Sequence, residues 1–255
     1  MAPDFEKVEL AGGRAVLYRA DCLEVLAAGL LKCDAIVSDP PYGIGFQHSG
    51  GGIGNLRSPR VESYQGRIVG DDMPFDPGPW LAAAPQGHRE QKFRGRKIIL
   101  WGATNYMQKL PGGGTLLAWD KSVGVGADDS FADAEYAWCG RPVKREVFRH
   151  LWKGLATNKT GEDGFSIKGA RGNGKVFART HVSQKPVALM RWCIQKLKPK
   201  AGGVILDPYA GSGTTGIAAL SLGYRFIGVE IDPKHFDTAC ARIAEWWAKH
   251  GAGDG

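Results

Sequence analysis

Residues 204–215 read VILDPYAGSGTT, a short apolar segment that runs directly into a glycine-rich turn. The residues after it, 216–222, predict a helix that stops at Gly223, and residues 225–229 predict a second strand that ends in Glu230. This order of strand, glycine turn, helix, strand and acid is typical of a nucleotide-binding site in an open α/β sheet. The glycines let the backbone approach a ligand closely, and the acid can hold ribose hydroxyls.

Two kinds of nucleotide site compete for this segment. A phosphate-binding loop needs Lys and then Ser or Thr directly after its second glycine, but Ile217 and Ala218 follow Gly216, which excludes that loop. Residues 211–216 do satisfy the Gly-x-Gly-x-x-Gly pattern of dinucleotide sites. However, the chain has no evident second mononucleotide half and no evident partner for hydride transfer.

A second motif, Asp39-Pro40-Pro41-Tyr42, follows the apolar run 35–37. Because proline cannot continue a ladder of hydrogen bonds, the predicted strand ends there and leaves this motif at its carboxyl end, where such sheets bind ligands. Tyr42 can stack on a flat heterocycle, while Asp39 and the Pro40 carbonyl can accept hydrogen bonds from an exocyclic amine. Taken alone, the same residues fit an ordinary turn with a surface tyrosine, and the glycine motif favours the binding site.

The two motifs together resemble those of the DNA amino-methyltransferases, which use S-adenosylmethionine. That family has Asp-Pro-Pro-Tyr as its catalytic motif and Asp-Pro-Phe-x-Gly-Ser-Gly-Thr-Thr as its cofactor loop, in which Tyr209 here replaces Phe. The catalytic motif comes first, as in the β class. Residues 180–187, THVSQKPV, resemble the His-Pro-Thr-Gln-Lys-Pro segment of that class, with Val182 and Ser183 in place of Pro and Thr. The resemblance spans about residues 14–245.

The resemblance implies which residues form the site. The catalytic residues would be Asp39, Pro40 and Tyr42. The cofactor-binding residues would be Asp21, Cys22, Asp39, Gln184, Lys185, Asp207, Tyr209, Ala210, Gly211, Ser212, Gly213, Thr214, Glu230 and Ile231. For Cys22 the alternative to cofactor binding is ordinary packing. For Lys185 the alternative is a solvent-facing position at the entry of a helix. Asp232 is also a candidate N-cap for a helix that begins at Pro233.

The basic residues of the chain are concentrated in one segment. The net charge is +7, but residues 141–200 alone hold 15 Lys/Arg and 3 Asp/Glu, and the rest of the chain is net acidic. Such a concentration of positive charge is typical of a protein that binds a polyphosphate, although a solvated basic face is the alternative. The resemblance implies a short DNA-recognition segment at 153–180, with DNA-binding residues Lys159, Lys168, Arg171, Lys175 and Arg179.

Composition excludes several other classes of protein. The 43% hydrophobic and 23% charged content fits a globular chain, and no run of about 18 apolar residues indicates a membrane span. The five cysteines are scattered, without a Cys-x-x-Cys pair, and residues 1–7 lack the apolar core of a signal peptide. We therefore expect reduced thiols and a cytoplasmic location. No His/Cys spacing suggests a metal site, so we expect none.

Strands that alternate with helices predict a parallel, doubly wound α/β sheet. The resemblance implies the Rossmann-like, mostly parallel seven-stranded sheet of class I methyltransferases, in a single domain over residues 1–255 with a loop insertion at 43–80. The strand candidates are 14–19, 34–38, 96–101, 114–119, 134–138, 146–152, 203–207 and 224–229. The helix candidates are 23–31, 186–197, 214–222 and 233–248.

We therefore expect an enzyme that methylates the exocyclic N6 of adenine in double-stranded DNA after the target base flips out of the helix. Asp rather than Ser at position 39 favours adenine in this family. Methylation of cytosine N4, of RNA or of a protein glutamine remains an alternative, as does an inactive protein that binds the cofactor and DNA. The sequence is compatible with a homodimer, and with a cognate restriction nuclease or with none, as in an orphan or phage-like enzyme.

Overall fold

The computed structural model describes residues 4–45, 69–87, 95–123, 132–153, 156–157 and 184–251. Within them, eleven strands and five α-helices are found. The strands are β1 (Glu6–Leu10), β2 (Ala15–Arg19), β3 (Ala35–Ser38), β4 (Ile98–Trp101), β5 (Thr115–Asp120), β6 (Ala134–Cys139), β7 (Val147–Arg149), β8 (Trp152–Lys153), β9 (Ala156–Thr157), β10 (Val204–Asp207) and β11 (Arg225–Glu230). The helices are α1 (Cys22–Ala27), α2 (Gly78–Ala83), α3 (Val187–Leu197), α4 (Thr214–Ser221) and α5 (Pro233–His250).

One mixed sheet organises the chain. Its strand order is β1-β2-β11-β10-β3-β4-β6-β5-β7, and β8 pairs with β9 in a separate hairpin. The strands from β2 to β4 are all parallel, whereas β1 and β6 run against their neighbours. This arrangement confirms the Rossmann-like, mostly parallel class. The predicted number of strands is wrong, because the sheet has nine strands in the described residues rather than seven.

Helices cover both faces of the sheet, as a doubly wound fold requires. Successive strand residues point to opposite faces, so Val37 packs in the core on the side of α3, α4 and α5. Its neighbour Ile36 packs on the other side with Val25 of α1 and Trp80 of α2. Both strand residues are fully buried, which explains why the parallel strands read as continuous apolar runs.

The predicted ends of several elements are confirmed by local chemistry. Asp232 accepts a hydrogen bond from the backbone N–H of His235 at 3.0 Å and so caps α5, with Pro233 as its first residue. Helix α4 ends just before Gly223, whose φ is +77°. Helix α1 is shorter than predicted because the chain turns at Gly29, where φ is +73°.

The parallel strands end at one edge of the sheet and bring distant sequence segments together. Asp39 follows β3, Gly102 follows β4, and Asp21 lies two residues after β2. Asp207 ends β10 and Glu230 ends β11. This edge is therefore the place where most of the predicted site residues meet. In the part of the chain that the structure describes, no helix combines the length and the apolarity needed to cross a membrane.

Candidate active site

Tyr42 folds back over the end of the neighbouring strand. Its hydroxyl donates a hydrogen bond to Oδ1 of Asp39, three residues earlier. The ring lies directly against Gly102, where an added Cβ would stand 1.9 Å from Cε1 of the tyrosine. Gly102 also has φ of +73°, a conformation that other residues rarely adopt. A glycine at the end of β4 is therefore what allows the tyrosine ring to occupy this position.

Lys185 stands between two carboxylates. Its Nζ is 2.5 Å from Oδ2 of Asp39 and 3.1 Å from Oε2 of Glu135, which belongs to β6. The other oxygen of Glu135 accepts a hydrogen bond from Nζ of Lys121 at 2.7 Å. Only 7% of the Lys185 side chain is exposed, against 17% for Asp39 and 27% for Glu135. The cluster is thus largely removed from water, and it opens toward solvent on the carboxylate side.

The ionisation of this cluster follows from its charges. Burial lowers the pKa of Lys185, but the carboxylates of Asp39 and Glu135 outweigh burial and hold that pKa well above its usual value. Burial raises the pKa of Glu135, but Lys185 and Lys121 outweigh it and lower the pKa to about 2. Burial also raises the pKa of Asp39, helped by Glu135 and opposed by Lys185. Lys185 therefore remains an ammonium ion beside Asp39.

Asp207 joins the glycine turn to the catalytic strand. Its Oδ1 accepts from the Ser38 hydroxyl at 2.5 Å and from the backbone N–H of Tyr209 at 3.1 Å. Its Oδ2 accepts from the Thr215 hydroxyl at 2.6 Å. Burial raises the pKa of Asp207 to about 6. Both oxygens of this predicted cofactor residue are thus occupied by protein donors, and the residue fixes the turn relative to Asp39.

The glycine turn leaves space at Gly211. This residue has φ of +52°, and an added Cβ would meet nothing closer than the Tyr209 carbonyl oxygen at 4.0 Å. Its N–H donates to Oε2 of Glu230 at 2.8 Å, and Oε1 of Glu230 accepts from the backbone N–H of Asp232 at 2.9 Å. Ile231, between the two acids, is 45% exposed. The turn and the end of β11 therefore form one open surface.

Ser212 and Thr214 turn toward helix α5 rather than away from the protein. Nη1 of Arg242 donates to the Ser212 carbonyl oxygen, to Ser212 Oγ at 2.8 Å and to Thr214 Oγ1 at 3.3 Å. Gly213, with φ of +77°, packs against Ala239 of the same helix, which an added Cβ would approach to 3.1 Å. Ala210 is buried, and its N–H donates to the Val229 carbonyl at 2.9 Å. Arg242 was not among the predicted residues, although it anchors the turn.

The remaining predicted residues lie around this edge in several ways. Asp21 caps α1 by accepting from the Leu23 N–H at 2.7 Å. Cys22 is buried, and burial raises its thiol pKa to about 12, so it is a packed thiol rather than a nucleophile. The Tyr209 hydroxyl accepts from the indole N–H of Trp80 at 3.2 Å. The carbonyl of Gln184 accepts from the indole N–H of Trp152 at 2.9 Å.

Several predictions fall outside the described residues. These include the DNA-binding residues, which are Lys159, Lys168, Arg171, Lys175 and Arg179, and most of the loop insertion 43–80. The described ends of that insertion meet near Tyr42, where Asp71 accepts from the backbone N–H groups of Gly43 at 2.8 Å and Ile44 at 3.3 Å. Over the described ranges, no group of three or more His, Cys, Asp or Glu residues could hold a metal ion.

Residues 119–241, just under half of the chain, match the family model N6_N4_Mtase, described as DNA methylase. Over this range the chain resembles the DNA methylases. The matched range contains Glu135, Lys185 and the glycine turn, and the Asp39 motif precedes it.

The chain is also similar to two curated proteins. It is 30% identical over 105 residues to the type II methyltransferase M.Cfr9I of Citrobacter freundii, over 40% of this chain and 34% of that protein. It is 42% identical over 67 residues to the type II methyltransferase M2.DpnII of Streptococcus pneumoniae, over 26% of this chain and 25% of that protein. The chain thus spans about a third or less of the length of each relative.

Among solved structures, the complex of M1.HpyAVI with SAM is 21% identical, with a TM-score of 0.48. The likeness covers 89% of this chain and 98% of that chain. At this level of similarity, the fold assignment rests on the strand order of the sheet in the chain itself.

Proposed function

We propose that this protein is a DNA methylase that transfers the methyl group of S-adenosylmethionine to the exocyclic N6 of adenine in double-stranded DNA. The observation that carries the proposal is the hydrogen bond between Ser38 and Asp207, which holds the Asp39–Tyr42 motif beside the glycine turn. An acceptor carboxylate and an aromatic ring are thereby fixed next to a surface that suits a nucleoside. A methyl donor and a flat base with an amine need these two features side by side.

The glycine turn fits the proposed cofactor. The open space at Gly211 gives a ligand access to the backbone, and Glu230 presents its carboxylate at the end of β11. The residues that would hold the cofactor are those of the turn, with Glu230, Ile231 and the Asp21–Cys22 segment at its border. When bound, the sulfonium supplies an activated methyl group that carries its own driving force, so the protein contributes orientation and electrostatics.

Asp39 and Tyr42 act on the amine. The lone pair of adenine N6 is delocalised into the ring, which makes the amine a poor nucleophile. If Asp39 and the Pro40 carbonyl accept its two N–H bonds, the nitrogen moves toward tetrahedral geometry and its lone pair is freed. Tyr42 would stack on the base, which must leave the duplex because the target atom is inaccessible inside it. Asp39 need not be a strong base, because the product loses its proton after transfer.

Cytosine N4 is the second candidate target, since both bases carry an exocyclic amine and the family model covers N6 and N4 enzymes. Methylation-sensitive sequencing of DNA from cells that express the protein distinguishes the two and gives the recognition site. We expect methylated adenine at one short motif, and none in cells that express the Asp39→Ala variant. Modified cytosine would move the target to N4, and unmodified DNA would contradict the proposed activity.

The open space at Gly211 predicts a selective effect on cofactor binding. In Gly211→Ala, the new methyl group would project into the space assigned to the ligand, so we expect S-adenosylmethionine to bind about tenfold or more weakly. Gly223→Ala is the matched control, because Gly223 also has positive φ and open surroundings but lies after α4. Calorimetry on both folded variants measures the difference, and equal affinities would remove Gly211 from the cofactor site.

The basic segment 153–180 is proposed to contact DNA phosphates. Each lost contact should reduce the slope of log K against log salt by about 0.9 on duplex DNA. We therefore expect the triple variant of Lys168, Arg171 and Lys175 to Ala to flatten that slope by up to roughly 2.7. Replacement of the exposed Lys7, Lys32 and Lys249 by Ala is the control with the same loss of charge. Equal slopes in the two variants would place the phosphate contacts elsewhere.

A further inference from the structure

The proposed role of Asp39 leaves the buried ammonium beside it unused. Nζ of Lys185 lies 2.5 Å from Asp39 Oδ2, and the side chain is 7% exposed. An ammonium has three N–H bonds, and within the described residues its partners are the carboxylates of Asp39 and Glu135. Within those residues at least one N–H bond is left for a ligand beside Asp39, where the target amine is proposed to bind.

The pair of Asp39 and Lys185 presents an acceptor and a donor side by side. Adenine offers the complementary pair, since its N6 amine donates and the adjacent ring nitrogen N1 accepts. Cytosine offers the same pair through N4 and N3. Thymine and guanine carry a carbonyl oxygen beside a ring N–H, so they would set an acceptor against Asp39. Enzymes that flip bases read this Watson–Crick edge of the extruded base.

We propose that Lys185 is a base-recognition residue whose ammonium donates a hydrogen bond to the ring nitrogen next to the target amine. The proposal rests on the proposed function, and it assigns to Lys185 a contact with the base rather than with the cofactor. It accounts for selection of amino bases over keto bases, and it does not separate adenine from cytosine.

Glu135 and Lys121 complete the arrangement. In this structure both oxygens of Asp39 are engaged, one by Tyr42 and one by Lys185. Because each carboxylate oxygen has two lone pairs, an incoming amine either shares an oxygen with one of these partners or displaces it. Glu135 lies 3.1 Å from the ammonium and is itself held by Lys121, so it can keep Lys185 charged and in place during that exchange. A lone lysine beside Asp39 would lose its only counter-ion at that moment.

The test combines variants of the protein with a base that lacks the accepting nitrogen. Duplexes that contain the recognition site would carry adenine, 1-deazaadenine or 7-deazaadenine as the target base, or cytosine and 3-deazacytosine if the target is cytosine. Single-turnover transfer is measured for the wild type, for Lys185→Met and for Lys185→Gln, which keeps an N–H donor. The 7-deaza base controls for a general response to a modified purine.

We expect the transfer rate of the wild type to fall by about 10–100-fold on 1-deazaadenine, because this base lacks the hydrogen bond to a charged group. The rate should change little on 7-deazaadenine. On adenine, Lys185→Met should be slower than the wild type by a similar factor, and its rate should not fall further on 1-deazaadenine. Lys185→Gln should recover part of the rate on adenine. The quantity to compare between proteins is the ratio of the transfer rates on adenine and on 1-deazaadenine, because 1-deazaadenine also changes the intrinsic reactivity of the amine.

Two results would overturn the proposal. If Lys185→Met keeps the full wild-type penalty on 1-deazaadenine, the lysine only supports Asp39 and another group contacts the ring nitrogen. If the wild type shows no penalty, nothing donates to that nitrogen, a result that needs no variant and holds even if Lys185→Met fails to fold. Failure of the proposed function is separate, because it would appear as no transfer by the wild type to the unmodified duplex.

Discussion

Asp39→Ala is expected to reduce methyl transfer by about 10²–10⁴-fold, the range found when one positioned polar group is removed from an active site. The substitution removes the proposed acceptor for the amine. It also takes away the hydrogen-bond partner of Tyr42 and one of the two counter-ions of Lys185. Single-turnover transfer to DNA that contains the recognition site measures the loss.

The affinity for S-adenosylmethionine should change little in this variant, because the glycine turn is held by Asp207 and Arg242 rather than by Asp39. Asp72→Ala, which removes an exposed acid from the nearby segment, is the control for a simple change of charge. A thermal melt is needed beside the kinetics, since Lys185 is buried and, among the described residues, keeps Glu135 as its one remaining counter-ion. A folded Asp39→Ala protein that transfers methyl groups at the wild-type rate would refute the proposed activation of the amine.

Gly102→Ala should displace the ring of Tyr42 and lower the rate of transfer by about 10–100-fold. The new Cβ would stand 1.9 Å from Cε1 of Tyr42, so the ring must move. Stacking of a base on an aromatic ring is worth about 1–3 kcal/mol, and that interaction would be lost or weakened. The loss should match that of Tyr42→Ala, and the two changes together should cost little more than either alone.

Gly113→Ala is a matched control for this variant. Gly113 also has a positive φ, +84°, but an added Cβ would meet no atom within 4 Å. Backbone strain should therefore lower the free energy of unfolding of both variants by a similar amount, about 1–2 kcal/mol. Equal transfer rates in the two variants would mean that the position of the Tyr42 ring is not needed for transfer.

The local motifs made much of the fold predictable from sequence. Residues 204–230 contain a complete strand, turn, helix and strand, and each end is marked by a glycine or an acid. The buried strands read as apolar runs because both faces of the sheet are covered. Strand β1 was missed because its residues, EKVEL, alternate weakly at an edge. Helix α2 was missed because six residues with a proline give almost no helical periodicity.

The parts of the site that depend on long-range pairing could not be predicted. Glu135 meets Lys185 because β6 packs antiparallel to β4 and β5, a register that no local pattern encodes. Gly102 looks like any glycine after a strand until Tyr42 is placed over it. Arg242 reads as one more polar residue of an amphipathic helix. The one available signal was Glu135 itself, a charged residue in a strand that is otherwise largely apolar.

The hydrogen bonds that Ser38 and Thr215 donate to Asp207 have a kinetic consequence. They join the proposed sites of the methyl acceptor and the methyl donor at one edge of the sheet, so neither substrate has to build the binding place of the other. The enzyme should therefore accept cofactor and DNA in random order, with little thermodynamic cooperativity between them. The relative placement of methyl donor and acceptor is then set when the chain folds, whereas each substrate still loses its own translational freedom on binding.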